Sequence, residues 1–158
     1  MHIETVTPAT FELILPLIAA YQRFYEAVPN EARNRAHFSQ FLDDHTNGIQ
    51  FVALDDDGRA LGFATLYFPL GSVSARANCL MNDLFTIPEA RGKGIGRALI
   101  THCLRYAKDH GFPSIYWQTA QSNTTAQRLY DSLNTTRSAW YTYTLPVPET
   151  ELSIEDRG

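Results

Sequence analysis

The sequence predicts a mixed α/β fold in which helices cover both faces of a mixed sheet, with the element order β-α-α-β-β-β-α-β-α-β(-β). Apolar residues make up 44% of the 158 residues and charged residues 19%, a balance that suits one compact core. Apolar positions recur at helical spacing in some segments and form continuous or alternating runs in others. We therefore expect a single domain over residues 1–146, followed by an acidic C-terminal extension at residues 147–158.

The first third of the chain predicts one short strand and two helices. Residues 3–7 form a β-like run. Pro8 then begins a segment with apolar residues at helical spacing, for which we expect a helix from Pro8 to Glu26. A second amphipathic stretch runs from Glu31 to about His45, and Asn47 and Gly48 stop it.

The middle of the chain predicts three strands. Residues 49–54 and 59–68 are rich in β-branched and aromatic residues. The Asp-Asp-Asp-Gly run at residues 55–58 predicts a hairpin loop rather than a metal site, because glycine follows directly and no other ligand-rich segment is near in sequence. After a loop at residues 69–78, the apolar run at residues 79–87 predicts the third strand.

The last third predicts two helices and two strands. The third helix begins inside a glycine-rich turn and ends at Gly111. Residues 114–119 are expected to form a strand and residues 123–131 a short helix with polar residues suited to capping. Residues 135–145 alternate as a last strand or hairpin.

Charge and motif spacing exclude several classes of function. The net charge is -4, without a basic run or an apolar stretch of membrane-spanning length, so neither nucleic acid nor a membrane is an expected partner. No secretory signal is visible, and we expect a cytoplasmic protein. Cys79 and Cys103 lie in apolar patterns, and the five histidines have no metal-binding spacing, which predicts buried thiols and no metal cofactor.

The segment from Asn82 to Leu99 carries the clearest chemical signal. Glycines at alternate positions, Gly92, Gly94 and Gly96, let the backbone approach a ligand, and the start of the next helix adds a positive dipole end. Three basic residues surround this loop: Arg91, Lys93 and Arg97. The pattern predicts a pyrophosphate site, but the spacing matches neither a P-loop nor a dinucleotide fingerprint. The structural alternative is a tight turn that only connects strand to helix.

Two blocks of this sequence resemble one known superfamily. Asp-Leu-Phe-Thr-Ile-Pro-Glu, followed by Arg-Gly-Lys-Gly-Ile-Gly-Arg-Ala-Leu, looks like the acetyl-CoA motif of the GCN5-related N-acetyltransferases (GNAT). Trp-Gln-Thr at residues 117–119, with Asn123, Tyr130 and Asp131, resembles the later cofactor-binding block. The combination is similar to the branch that contains spermidine/spermine acetyltransferases and the yeast histone and polyamine acetyltransferase.

The resemblance implies a GNAT-like acyl-CoA N-acyltransferase fold, acetyl-CoA as cosubstrate and acetyl transfer to a primary amine by direct attack in a ternary complex. The glycine-rich loop would hold the pyrophosphate, while backbone groups of the preceding strand would pair with the pantetheine arm. The implied cofactor-binding residues are Leu84, Phe85, Thr86, Arg91, Gly92, Lys93, Gly94, Ile95, Gly96, Arg97 and Asn123.

The reaction needs a neutral amine, a stabilised oxyanion and a proton for the departing thiolate. A backbone N–H near Phe85 is expected to polarise the thioester carbonyl. Tyr130 is the expected proton donor to sulfur, and its alternative role is to pack against Leu129 and Leu133 in an amphipathic helix.

The general base is the step at which the sequence departs from the pattern. Polyamine acetyltransferases have glutamate where this chain has Asn82, and an asparagine cannot accept the proton. Either Asp83 or Glu26 acts through water, or Asn82 orients water and the amine arrives neutral. A structural carboxylate and an anchor for a cationic substrate are equally weighted alternative roles for Asp83.

The acceptor is expected to be a small cationic, polyamine-like amine or a lysine side chain. Tyr25 and Glu26 are the predicted substrate-binding residues at the end of the first helix, whereas Tyr21 and Phe24 fit an ordinary core equally well. The alternating aromatic residues of the last segment favour a homodimer. The substitution at Asn82 leaves an alternative, a non-catalytic acyl-CoA-binding or regulatory module.

Overall fold

The computed structural model describes residues 1–149. Part of the predicted C-terminal extension, residues 150–158, lies outside the described residues. The elements in chain order are β1 (His2–Thr5), α1 (Pro8–Phe24), α2 (Glu31–Phe38), β2 (Gly48–Leu54), β3 (Ala60–Tyr67), β4 (Leu70–Gly71), β5 (Arg76–Ala77), β6 (Leu80–Thr86), α3 (Ile95–Asp109) and α4 (Thr124–Asp131).

Two compact units divide the described chain. The first runs from Met1 to Asn123 and contains the sheet and the first three helices, and the second begins at Thr124. Among residues 1–149 no helix is long and apolar enough to cross a membrane. The same residues contain no group of three or more His, Cys, Asp and Glu side chains arranged to hold a metal ion.

Local capping explains where the first two helices begin. Thr7 and Thr10 form a capping box at the start of α1, and Pro8 occupies the first turn, where its missing N–H is not needed. The side chain of Asn30 accepts a hydrogen bond from the N–H of Arg33 at 2.8 Å and so caps α2.

The second helix is shorter than predicted. It ends at Phe38 rather than near His45 and continues as a 3₁₀ turn over Ser39–Phe41. The tighter turn nearly eclipses side chains three positions apart, and both Phe38 and Phe41 are buried. The helical pattern seen in the sequence therefore reflects two kinds of helix that bury one aromatic pair.

Four antiparallel strands form the main sheet in the order β1-β2-β3-β6. The loop between β2 and β3 is the predicted turn. The Asp55 carboxylate accepts hydrogen bonds from the N–H groups of Asp57 and Arg59 at 3.0 and 2.8 Å, and Gly58 has a φ of 79°. The Asp55 carboxylate therefore helps to shape the turn.

Helices cover both faces of this sheet, as predicted. Side chains alternate between the faces along a strand, so Gly62 and Phe63 point in opposite directions. A Cβ placed on Gly62 would lie 3.4 Å from Leu99 of α3, whereas the Phe63 ring lies 6.0 Å from the ring of Tyr21 in α1. Helix α3 therefore covers one face and α1 the other.

Three segments differ from the prediction. The expected loop at residues 69–78 contains the short hairpin β4–β5. The expected strand at residues 114–119 reduces to one parallel bridge between Tyr116 and Leu80. No strand forms at residues 135–145 within the described chain, where Trp140 and Tyr141 are 87% and 92% exposed. An alternating sequence becomes a strand only when an adjacent backbone and a buried face are available.

Candidate active site

A β-bulge in β6 creates the central feature of the site. Thr65 of β3 pairs with Asp83, but the next residue, Leu66, pairs with Met81. Asn82 is therefore an extra residue without an opposite partner in β3. Consecutive strand residues normally face opposite sides of a sheet, whereas the bulge lets Asn82 and Asp83 line the same cavity.

Asp83 is a buried carboxylate with incomplete hydrogen bonding. Asp83 is only 5% exposed. The Nδ2 of Asn82 donates a hydrogen bond to its Oδ1 at 3.0 Å. Its Oδ2 is buried and has no hydrogen-bond partner among residues 1–149. Burial raises the pKa of Asp83 above its ordinary value, and the donors around the carboxylate, Asn82 among them, oppose this only in part.

The cavity beside Asp83 has a volume of about 300 Å³ and lies between β3, β6, α1 and α2. Most of its walls are aromatic or polar. Its lining residues are Ile18, Tyr21, Gln22, Arg33, Asn34, His37, Phe38, Phe63, Tyr67, Asn82 and Asp83. We call this the first cavity.

Helix α1 supplies one wall of the first cavity through residues that share a helical face. Ile18, Tyr21 and Gln22 are three and four positions apart, a spacing that places them side by side. The Tyr21 hydroxyl donates to the carbonyl oxygen of Asn82 at 3.3 Å. Gln22 and Asn34 exchange two side-chain amide hydrogen bonds of 2.8 Å each, which join α1 to α2.

Helix α2 and β3 supply the opposite wall. Nε2 of His37 lies 3.1 Å from the hydroxyl oxygen of Tyr67, within hydrogen-bond distance. Burial, with the nearby charge of Asp83, raises the pKa of Tyr67 above its ordinary value, so this phenol is neutral at physiological pH. The wall is therefore aromatic and carries hydrogen-bonding groups.

The predicted substrate residues lie at the end of α1. Tyr25 packs edge to face on Tyr21, with ring centroids 5.0 Å apart. It lines a second cavity, whereas Glu26 lines neither cavity and has a left-handed φ of 60°. Phe24 is 55% exposed and Tyr21 lines both cavities, so neither side chain is the ordinary core residue that the sequence also allowed.

The second cavity has a volume of about 410 Å³ and opens beside the start of β6. Its lining residues are Tyr21, Tyr25, Leu80, Met81, Asn82, Gln118, Thr119 and Ala120. Tyr116 exchanges backbone hydrogen bonds with Cys79 and Met81 at 3.1 and 3.0 Å. Among the described residues no further β-bridge joins residues 117–120 to β6. The edge of β6 that faces away from β3 is therefore open from the bulge onward, and we call it the open edge. Tyr21 and Asn82 line both cavities.

The hydrogen-bond ladder determines which backbone groups of β6 face this open edge. The N–H of Ile87 donates to a carbonyl oxygen of β3 at 3.0 Å. Because antiparallel pairs alternate, Phe85 exchanges its hydrogen bonds with Phe63, and the backbone groups of Leu84 and Thr86 point away from β3. The N–H of Phe85 therefore faces β3, and the neighbouring N–H groups that face the open edge are those of Leu84 and Thr86.

The glycine-rich loop follows β6 directly. Gly92 and Gly94 have φ values of 75° and 79°, which glycine adopts without the penalty that a side chain would cause. Gly94 is the N-cap of α3, whose first turn has no side-chain cap. The Arg91 side chain is anchored, because its Nε donates to the carbonyl oxygen of Thr86 at 3.2 Å.

This geometry fits a phosphate-bearing ligand. Uncapped N–H groups at a helix start and glycines in left-handed conformation form an anion-binding concavity. A Cβ on Gly92 or Gly94 would meet no atom within 4 Å, so the glycines keep the space beside the loop open. Arg91, Lys93 and Gly94 are exposed and accessible to a ligand.

The remaining predicted residues lie at the end of the first unit and in the second. The N–H of Asn123 donates to the carbonyl oxygen of Ala120 at 2.9 Å. Tyr130 is half-buried within α4, and its carbonyl oxygen accepts hydrogen bonds from the Leu133 N–H and the Thr135 hydroxyl. The roles of Asn123 and Tyr130 stay predictions.

Sequence reasoning missed several residues of the first cavity. They are Gln22, Arg33, Asn34, His37 and Tyr67. One signal was available. Asn34 and His37 are three positions apart in α2, and polar residues at that spacing can form a functional face as well as a solvated one.

Comparisons with known proteins identify the family. Residues 14–134 match the model of the acetyltransferase (GNAT) family. The chain is 30% identical over 131 residues to the uncharacterized N-acetyltransferase YhfO of Bacillus subtilis, covering 83% of this chain and 87% of that protein. It is 33% identical over 129 residues to the D-amino-acid N-acetyltransferase HPA3 of Saccharomyces cerevisiae, covering 81% and 80%.

A solved structure has the same fold. The crystal structure of a probable acetyltransferase superposes with a TM-score of 0.82 at 26% identity, covering 95% of this chain and all of the other. The family match spans most of the chain and includes the strand, the loop and the helix start described above. The protein therefore belongs to the acetyltransferase (GNAT) family and is an acetyl-CoA-dependent N-acetyltransferase.

Proposed function

We propose that this enzyme acetylates a primary amine, on a small molecule or a lysine side chain, by direct attack within a ternary complex. The observation that carries the proposal is the pair of cavities that share Tyr21 and Asn82. One contains a buried carboxylate suited to an amine, and the other lies beside the open edge of β6. An amine in the first cavity would meet a thioester in the second at these shared residues.

The cosubstrate half of the proposal uses the open edge and the loop. Acetyl-CoA would supply the acetyl group as an activated thioester. The backbone groups of Leu84 and Thr86 are free of β3 and would bind the extended pantetheine arm as an added strand does. The loop from Arg91 to Arg97 would hold the pyrophosphate, and Asn123 is proposed from the sequence motif alone.

The N–H of Leu84 is the best-placed donor for the thioester carbonyl. It faces the open edge and lies two residues from the bulge at Asn82. A backbone donor held rigidly by the sheet would stabilise charge as it develops on that oxygen. Leu84 is adjacent to Phe85, near which the sequence places the polarising N–H.

The amine must lose a proton before it attacks. A lysine-like amine has a pKa of about 10.4, so converting it to the neutral form at pH 7 costs a free energy of about 4–5 kcal/mol. Asp83 is the carboxylate that lines the first cavity, and its raised pKa makes it a better base than an exposed aspartate. We assign Asp83 to accept the proton, directly or through water, with Asn82 as an orienting residue.

Proton balance assigns the remaining role. After the cationic amine has given one proton to Asp83, a nitrogen–carbon bond forms, the sulfur–carbon bond breaks, the nitrogen loses a second proton and the thiolate gains one, so one proton is released overall. Tyr130 is the proposed donor to sulfur, on the basis of its place in the second sequence block. The resemblance to the polyamine branch, a cytoplasmic location and a homodimer also stay predictions, and sedimentation would test the last.

One assay tests the proposed function. Free-thiol release from acetyl-CoA is followed with polyamines, D- and L-amino acids, aminoglycosides and lysine peptides, and acetylated products are identified by mass spectrometry. D-amino acids are included because a relative is a D-amino-acid N-acetyltransferase. We expect release that depends on one acceptor class. If no amine increases thiol release while acetyl-CoA still binds, the alternative of a binding module replaces the enzyme.

A further inference from the structure

Arg33 places a positive charge at the first cavity, and no ion pair within residues 1–149 neutralises this charge. Its side chain lines the cavity from α2, and no carboxylate among residues 1–149 forms an ion pair with it. Arg35, two positions along the same helix, is different, since it pairs with Glu12 and Glu31 at 2.5 and 3.5 Å. The guanidinium of Arg33 is therefore available to a ligand.

Asp83 places the opposite charge in the same cavity. It is the carboxylate in the lining, and its buried Oδ2 has no hydrogen-bond partner among the described residues. One cavity of about 300 Å³ thus offers one anionic and one cationic group. Such a pair is complementary to a molecule that carries an amine and a carboxylate a few atoms apart.

We infer that the first cavity binds an acceptor with a carboxylate near its amine, of which an α-amino acid is the simplest, and that Arg33 is the carboxylate-binding residue. The inference rests on the proposed N-acetyltransferase function and names its substrate class. Arginine suits this role because its planar fork of N–H donors matches a carboxylate with two parallel hydrogen bonds.

The cavity suits other acceptors less well. A polyamine carries at least one further cation, but the lining offers it Arg33 and no second carboxylate. The side-chain amides of Gln22 and Asn34 already bond to each other. The volume lies at the small end of the range of about 300–1,000 Å³ for small-molecule sites, which favours a compact acceptor.

Matched pairs of acceptors test the inference. Alanine and phenylalanine, as D and L forms, are each compared with their primary amides, and spermidine and a lysine peptide complete the set. The amine of an amino-acid amide is less basic than that of the free acid, so more of it is neutral at pH 7. Intrinsic reactivity therefore favours the amide, and a preference for the acid must come from the protein.

Arg33→Gln and Arg35→Gln form a matched pair of variants. Both remove one positive charge from α2 and introduce a good helix former, but Arg35 does not line the first cavity. In the wild type we expect kcat/KM for at least one free acid to exceed that of its amide by about tenfold or more. Arg33→Gln should abolish this preference by raising KM for the acid, while Arg35→Gln should retain it.

The outcomes separate the two proposals. Acetylation of amides or spermidine with kcat/KM equal to that of the acids overturns the carboxylate inference but keeps the enzyme. An equal loss for acid and amide in a folded Arg33→Gln protein also overturns it. Failure to acetylate any acceptor overturns the proposed function itself. Partial retention of the acid preference in Arg33→Lys supports charge recognition by this residue.

Discussion

The Asn82 side chain donates a hydrogen bond from Nδ2 to Oδ1 of Asp83, its neighbour in the chain, at 3.0 Å. Adjacent strand residues rarely meet in this way, because their side chains normally point to opposite faces. The bulge in β6 removes that separation and places both at the first cavity. The amide therefore satisfies one oxygen of a buried carboxylate, while the other oxygen has no partner among residues 1–149.

Asp83→Asn should stabilise the protein while it lowers activity. A buried acid with a raised pKa holds its proton more tightly in the folded than in the unfolded state. The stability of the wild type is therefore full below its ordinary pKa of 3.8 and is lost as the pH rises through the higher folded value. Asparagine stays neutral throughout. We expect the variant's advantage in Tm to be larger at about pH 8 than at about pH 3.5, below the ordinary pKa.

The activity of Asp83→Asn should fall by about tenfold or more, as expected for the loss of a proton acceptor or cation anchor. Asp57→Asn is the control, since Asp57 is an exposed turn residue. Asp57→Asn should leave the activity near that of the wild type and should give no pH-dependent advantage in Tm. A Tm advantage that is independent of pH would contradict the assignment of a charged, buried Asp83.

Gly94→Ala should weaken acetyl-CoA binding, and a matched control variant separates this effect from the loss of folding stability. Gly94 and Gly58 both have a φ of 79°, and a Cβ on either meets nothing within 4 Å. Each alanine should therefore cost about 1–2 kcal/mol through left-handed backbone strain alone. Gly58→Ala is the matched control in the β2–β3 turn. Only Gly94→Ala should raise KM for acetyl-CoA, and equal KM values in the two variants would remove the loop from the cosubstrate site.

An ester in place of the Leu84 amide should lower kcat. This replacement deletes one N–H that faces the open edge and leaves the side chain unchanged. Loss of one such donor lowers kcat by about 100- to 1,000-fold in other acyl transfers. An ester at Thr86 is the control, because it should raise KM for acetyl-CoA more than it lowers kcat. If the Leu84 ester retains wild-type kcat, its N–H does not polarise the thioester.

Tyr130→Phe should lower kcat with little effect on acetyl-CoA binding, because it removes a hydroxyl while keeping the ring. Tyr143→Phe is the control, since Tyr143 lies in the same unit and is 92% exposed. Steady-state kinetics and calorimetric binding of acetyl-CoA provide the two measurements. Equal kcat values for Tyr130→Phe and the wild type would assign Tyr130 to packing.

Much of the fold could be predicted because it follows from local signals. The helix start at Pro8, the turn at Gly58 and the helix that begins after Gly94 each depend on a residue and its immediate neighbours. Residues 114–119 and 135–145 were predicted less well, since strand formation depends on a partner that lies far away in sequence.

The sequence by itself determined the family and the candidate cosubstrate loop, because glycine spacing and a helix start within one short segment are enough to define an anion site. Only the tertiary structure revealed the cavity that is proposed to bind the acceptor. The register shift at Asn82, the burial of Asp83 and the position of Arg33 arise where β3, β6, α1 and α2 meet. Pairing between distant strands and packing of helices set these relations, and no local pattern encodes them.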